Sequence, residues 1–181
     1  MAVCGRDEQG MDKSMKDSLY LATLFFVLFS FLHMISDLIH VKLPFLASSE
    51  AVWEHIKIGF YAALIAWPLL AARGRKAGLI GLAVMTLITC SSIFLYYYSI
   101  IAVTGPLSNY GVAVDLAVTI PITWFSGFTG AVLAMHADEE CIRASRTVKI
   151  LALVIVLTEI WLTIATTYWG VPLPLFTLKA G

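Results

Sequence analysis

The sequence predicts an all-α protein: a polytopic membrane bundle of five transmembrane helices, with the N-terminus cytoplasmic and the C-terminus outside. Three observations lead to this prediction. Hydrophobic residues make up 60% of the 181 residues and charged residues only 13%, which would leave a soluble domain with large exposed apolar surfaces. Five apolar runs are long enough to span a bilayer. The basic residues are distributed unevenly between the links that join these runs.

The five apolar runs define the predicted domain organisation. A helix needs about 20 apolar residues to cross a hydrocarbon core of about 30 Å. Within lipid every backbone amide must be hydrogen-bonded inside the chain, so runs of this length are predicted to be helices. We therefore assign residues 1–17 to a cytoplasmic tail, 18–176 to one transmembrane domain and 177–181 to a short C-terminal tail. The predicted spans are 18–39, 52–72, 77–103, 110–135 and 148–169.

The orientation is predicted from the basic residues. Cytoplasmic loops of membrane proteins are enriched in lysine and arginine. Successive links lie on alternate sides of the membrane, and nine of the twelve basic residues fall on the side of the N-terminus. That side is therefore predicted to be cytoplasmic, and the protein to be a multi-pass protein of the cell membrane. The nine residues are Arg6, Lys13, Lys16, Arg73, Arg75, Lys76, Arg143, Arg146 and Lys149.

Several classes of function lack their sequence signals. The chain has no basic patch of the kind that binds nucleic acid and no Walker or G-x-G-x-x-G loop for a nucleotide. It also lacks the H-E-x-x-H helix of metalloproteases and the G-x-S-x-G turn of serine hydrolases. Membrane lipids are therefore the expected partners, nucleic acid and nucleotide are not, and self-association into a homo-oligomer stays open.

Ionisable residues interrupt the first apolar run. A charged side chain at the bilayer centre is unfavourable by about 2.5–3.5 kcal/mol on insertion scales, so such residues mark a working part of the protein. His33, Asp37 and His40 recur at i, i+4 and i+7 and therefore share one helix face. Imidazole and carboxylate are usual ligands of zinc, iron and manganese ions. The alternative is a hydrogen-bond network between helices.

The second run carries the densest polar group. Glu50, Glu54, Lys57 and Tyr61 stack on one helix face, while His55 projects about 100° away from Glu54 and flanks that stripe. The carboxylates are candidates for acid–base catalysis. In the alternative interpretation, Glu50 only caps a helix and Glu54 forms an ion pair with Lys57 at i+3.

The remaining spans add three candidates. Asp115 lies about one turn into the fourth run, where a carboxylate at the membrane interface is the alternative interpretation. Glu159 lies deeper in the fifth run, and Tyr97 belongs to a tyrosine-rich segment of the third. The polar faces of all five helices are predicted to turn toward a common axis. Given the orientation, the ionisable groups are expected to form a pocket in the outer half of the bundle.

Residues 49–57 have the sequence S-E-A-V-W-E-H-I-K, which resembles the N-E-S-V-W-E-H-L-K signature of a family of small, uncharacterised prokaryotic multi-pass membrane proteins. Leu32-His33 and Val114-Asp115-Leu116 are also similar to patches of that family. Ser49 stands where the family has asparagine, and the Asp-Pro that follows its closing P-L-F is absent from Thr177 onward. The resemblance implies no activity. It groups His33, Glu50, Trp53, Glu54, His55, Lys57 and Asp115 into one constellation.

The predicted function is therefore an outward-facing polar pocket that binds a divalent metal ion or a small polar substrate. A membrane-embedded enzyme acting on a lipid-like substrate is one form of this prediction. An ion or solute transporter and a non-catalytic subunit or assembly factor are the alternatives, so enzymatic activity stays open. The candidates are Glu50, Glu54 and Asp115 for catalysis, Trp53, Lys57, Tyr97 and Glu159 for substrate binding, and His33, Asp37, His40 and His55 for the metal.

Overall fold

The computed structural model describes residues 8–39, 42–46, 52–73, 78–105, 111–139 and 146–169. Within these ranges the chain forms five α-helices and one short 3₁₀ helix, without a β-strand. The all-α prediction is therefore confirmed for the described residues. The helices are α1 (Glu8–Ile39), α2 (Val52–Leu69), α3 (Leu79–Thr104), α4 (Val112–Glu139) and α5 (Arg146–Tyr168), and the 3₁₀ helix Leu70–Arg73 continues α2.

The helices lie where the apolar runs predict them, with one difference at the N-terminus. Helix α1 begins at Glu8 and not near residue 18, so it includes part of the segment predicted as a tail. Lys13 and Lys16 in this first part are exposed. Lysine is a good helix former, so a helix can continue beyond its apolar part where the side chains remain exposed.

Four of the described helices, α1, α3, α4 and α5, are long and apolar enough to cross a membrane. This indicates an integral membrane protein. Helix α2 is the exception, because its 18 residues include Glu54, His55 and Lys57. Length and composition therefore support four of the five predicted spans.

Helix α2 is the most enclosed helix of the bundle. Helices α1 to α4 form a ring in which α2 contacts α1 and α3, and α4 contacts the same two helices on the other side. Helix α5 packs against α3 on the outside of this ring. Residues 54–60 of α2 are buried without exception. The neighbouring helices therefore cover the polar residues that make α2 too hydrophilic for a lipid-exposed span.

Glycines permit close approach at two helix crossings. A Cβ on Gly127 of α4 would collide with the ring of Phe25 from α1, and one on Gly81 of α3 would collide with the indole of Trp67 from α2. The Trp67 indole is held in place because its Nε1 donates a hydrogen bond to the Gly78 carbonyl at 2.9 Å. Close van der Waals packing of this kind stabilises helix pairs in lipid.

Candidate functional site

The described polar residues of three helices meet at one end of the bundle. Helices α1 and α2 are antiparallel neighbours, so His33 near the end of α1 lies beside His55 near the start of α2. The end of α5 reaches the same region, where Thr166 contacts Trp53 of α2. This end therefore holds His33, His55 and Trp53 of the predicted candidates.

Two imidazoles, one from α1 and one from α2, contact each other where these helices pack together. The Nε2 atoms of His33 and His55 are 3.1 Å apart, and the ring centroids are separated by 5.0 Å at an interplanar angle of 43°. His55 is buried, and the ring of Phe29 lies beside that of His33. At this separation either one Nε2 donates a hydrogen bond to the other, or both direct their lone pairs at a shared cation.

An ion pair lies one turn along α2. Lys57 Nζ is 2.8 Å from Glu54 Oε2 and donates a hydrogen bond to Thr167 Oγ1 at 2.9 Å. The Lys57 side chain is completely buried and that of Glu54 is 10% exposed. A buried ammonium requires such partners because its desolvation is very unfavourable. The i+3 pairing of Glu54 with Lys57 that the sequence suggests is confirmed.

Side chains spaced four residues apart on α2 connect this helix to α5. Trp53 Nε1 donates to Thr166 Oγ1 at 2.8 Å, and the Tyr61 hydroxyl is 2.9 Å from Thr163 Oγ1. The Thr163 hydroxyl donates its own hydrogen to the Ile160 carbonyl at 2.8 Å, so Tyr61 must be the donor in its contact with Thr163. Together with Lys57, these residues form a polar seam between α2 and α5.

The prediction that all polar faces turn toward one axis is wrong for the described side chains. His55 faces α1, whereas Trp53, Lys57 and Tyr61 face α5. Neighbouring positions on a helix are offset by about 100°, and α2 has neighbours on several sides. The polar residues of α2 therefore form separate pairs with different helices.

Glu159 occupies a different place from the imidazole pair. It lines a cavity of about 390 Å³ between α2, α3 and α5, together with Trp53 of α2 and Cys90 of α3. Thr86 of α3 lies close enough to interact with its carboxyl group. Glu159 Oε2 has no hydrogen-bond partner among the described residues. The predicted substrate residues Trp53 and Glu159 therefore share a cavity, and this cavity is separate from the imidazole contact.

Five candidates have no described side chain. Asp37, Tyr97 and Asp115 belong to α1, α3 and α4, but their side chains lie outside the described part, and His40 and Glu50 lie outside the described residues. In the part of the chain that is described, no group of three or more His, Cys, Asp or Glu side chains could hold a metal ion. The structure thus unites two of the four predicted metal ligands.

Sequence reasoning missed two features of this region. It did not predict that His55 pairs with His33, and it did not include Thr167, which accepts a hydrogen bond from Lys57. The available signal for Thr167 was its position four residues after Thr163, on the helix face that also carries Thr163 and Thr166.

Searches of protein-family models, curated proteins and solved structures return no match to this chain. The resemblance of residues 49–57 to a membrane protein family therefore stays a prediction, and the function has to be inferred from the geometry of the site.

Proposed function

We propose that this chain is a five-span protein of the cell membrane that binds a divalent transition-metal ion through His33 and His55. In this proposal α2 also crosses the membrane, which brings the number of spans to five. The N-terminus is cytoplasmic, and the metal site lies at the extracytoplasmic end of the bundle. The observation that carries the proposal is the distance of 3.1 Å between the two Nε2 atoms.

The length and cover of α2 support its assignment as a span. Its 18 residues rise about 27 Å at 1.5 Å per residue, and the 3₁₀ helix that follows extends it toward the roughly 30 Å of a hydrocarbon core. Its ionisable residues are buried by neighbouring helices, so lipid does not have to solvate them.

The basic residues support the orientation. Arg73 at the end of the 3₁₀ helix contacts Asp17 in the first part of α1, so the start of α1 and the end of α2 lie at the same end of the bundle. Lys13, Lys16 and Arg146 belong to this end by their positions in α1 and α5. Cytoplasmic segments are enriched in such residues, which supports the proposal that the imidazole pair lies toward the extracytoplasmic side.

The separation of the two imidazoles supports metal binding. In a tetrahedral zinc site with Zn–N bonds of about 2.0–2.1 Å, two nitrogen ligands lie about 3.3 Å apart. His33 and His55 thus need to move by only a few tenths of an ångström to bind one ion. Two protein ligands leave positions for water or a substrate, or for Asp37, His40 and Glu50, which the sequence predicts as further polar residues.

The ion pair favours binding over acid–base catalysis at Glu54. One carboxylate oxygen of Glu54 is held by Lys57 at 2.8 Å, and Lys57 also donates to Thr167 of α5. This oxygen is therefore engaged by a partner inside the protein and not directed at a substrate. Glu54 and Lys57 therefore support the position of α2 in the bundle, next to the ion-binding pair.

Metal analysis of the detergent-purified full-length protein tests the proposal. After incubation with zinc and removal of unbound ion, we expect about one zinc per chain in the wild type. His33→Ala and His55→Ala should lose it, while His136→Ala, a change of an exposed histidine at the other end of the bundle, should retain it. A wild type that retains no zinc, or an alanine variant at His33 or His55 that binds it equally well, would overturn the proposal.

Two further measurements show whether a loss of zinc is due to misfolding and whether zinc binds the folded protein. Circular dichroism and size-exclusion chromatography should show that each variant has wild-type helix content and is monodisperse. Zinc should also raise the thermal stability of the wild type, because a ligand at 100 times its Kd stabilises the folded state by about 2.7 kcal/mol. If the imidazole contact is only a structural hydrogen bond, zinc will have no such effect and the non-catalytic subunit becomes the better interpretation.

A further inference from the structure

A groove lies between α5 and the two helices it faces, α2 and α3. Its walls are formed by Trp53 and Phe60 of α2, Cys90 of α3, and Val154, Glu159 and Leu162 of α5, and it has a volume of about 390 Å³. Apart from Glu159, the described residues that line it are uncharged. The groove is thus an apolar compartment with a single carboxyl group.

The groove opens on the outer surface of the bundle. Leu87 of α3 and Val154 of α5 line it and are 44% and 51% exposed. Glu159 lies about 20 Å along α5 from Arg146 and about 14 Å from Tyr168, at 1.5 Å per residue. The opening therefore faces the hydrocarbon of the membrane at a depth that the headgroups of phospholipids do not reach.

The carboxyl group of Glu159 has no internal counter-ion among the described residues. Its Oε2 atom is buried and has no hydrogen-bond partner in the described part of the chain. The nearest buried ammonium on the facing helix, that of Lys57, is held by Glu54 and Thr167. An apolar site favours the neutral form of a carboxyl group, and among the described residues there is no cation to pair with its ionised form, so a cationic ligand in the groove would supply that partner.

The aromatic wall of the groove also favours a cationic ligand. The Trp53 indole is fixed by its hydrogen bond to Thr166, and its ring lines the groove together with that of Phe60. The face of an aromatic ring attracts cations, tryptophan most strongly, and quaternary ammonium groups are recognised in this way. An aromatic wall and a buried carboxylate are complementary to one class of ligand.

We propose that the groove between α2, α3 and α5 binds a small lipophilic organic cation that enters from the bilayer, with Glu159 as its counter-ion and Trp53 as its aromatic contact. The cation is a molecule dissolved in the membrane and not a phospholipid headgroup, because of the depth of Glu159. This site is independent of the imidazole pair, so it can stand if the metal site fails.

Binding of labelled tetraphenylphosphonium to the full-length protein in detergent tests the proposal. Tetraphenylborate serves as the comparison, since it has the same shape and the opposite charge. We expect saturable binding of the cation and none of the anion. Glu159→Gln should weaken cation binding about tenfold or more, whereas Asp17→Asn, which removes a buried carboxylate at the other end of the bundle, should leave it within about twofold.

A second variant guards against misfolding of Glu159→Gln. Val154→Trp places a large ring at the exposed mouth of the groove and leaves the carboxyl group intact, so it should abolish cation binding while zinc content and helix content stay at wild-type values. Equal binding of cation and anion would indicate a groove for neutral lipid chains and would overturn the proposal. The absence of saturable cation binding by the wild type, or its full retention in Glu159→Gln or in Val154→Trp, would do the same.

Discussion

Each end of the bundle has an ion pair, and the two pairs differ in how deeply their cations are buried. At one end Arg73 Nε lies 3.1 Å from Asp17 Oδ1, its guanidinium lies 4.6 Å from the centroid of the Tyr20 ring, and its side chain is 45% exposed. At the other end Lys57 is fully buried beside Glu54. The Arg73 guanidinium can exchange its contact for water, whereas Asp17, whose side chain is 3% exposed, and both members of the second pair cannot.

The difference in burial indicates which polar groups have a function beyond stabilising the fold. In the first pair only the Arg73 guanidinium keeps much of its hydration, and an exposed charge contributes about 0–1 kcal/mol to folding. A buried pair has a large desolvation penalty and is often no more stabilising than apolar residues of the same shape. The end that holds Glu54, Lys57 and the imidazole pair is therefore the end where we expect function.

Removal of the buried ammonium should have the largest effect on stability. In Lys57→Met, Glu54 loses its partner at 2.8 Å and Thr167 loses a donor, so we expect the free energy of unfolding to fall by about 3–5 kcal/mol. Unfolding by denaturing detergent measures this change. The double variant Glu54→Gln with Lys57→Met should recover much of the loss, and a single variant as stable as the wild type would contradict the comparison.

Removal of the acceptors on α5 should have an intermediate effect. Thr167→Val eliminates a hydrogen bond to the charged Lys57, for which we expect a loss of about 1.5–3 kcal/mol. Thr163→Val eliminates the neutral hydrogen bond from Tyr61, for which the loss should be about 0.5–1.5 kcal/mol. The same unfolding assay compares these matched variants. Equal losses would mean that the charge of Lys57 is already satisfied without Thr167.

The smallest effect on stability is expected at the pair of Arg73 with Asp17, in which the arginine is exposed. Arg73→Lys keeps a cation beside the buried Asp17 carboxylate, so it should reduce the free energy of unfolding by about 0–1 kcal/mol, and the reduction should shrink further as salt is raised, because salt screens charges near the surface. The effect of Lys57→Met should not depend on salt. Unfolding at low and high sodium chloride separates the two, and a salt-sensitive Lys57 would show that water reaches the buried pair.

The helices were largely predictable because lipid imposes one rule on length and hydrophobicity. The contact of Glu54 with Lys57 was predictable for a similar reason, since both residues lie on one helix at i and i+3. The start of α1 at Glu8 was not predictable from the sequence. The polarity of that segment indicates where the membrane ends, but it does not indicate where the helical hydrogen bonds end.

Contacts between helices were harder to predict. Helical periodicity assigns His55 and Lys57 to directions around α2, but it does not say which helix lies in each direction. The pairing of His55 with His33 depends on the position of α1, and the placement of Glu159 depends on how α5 packs outside the ring. These positions arise from the packing of many apolar side chains, among them Phe25 against Gly127.

X-ray absorption spectroscopy at the zinc edge, on the zinc-loaded full-length protein, tests the central claim most directly. The account predicts two imidazole nitrogens at about 2.0–2.1 Å from the ion in the wild type, and no zinc retained at such a site in His55→Ala. A spectrum with only oxygen ligands, or one that His55→Ala leaves unchanged, would contradict the assignment of His33 and His55 as the metal-binding pair.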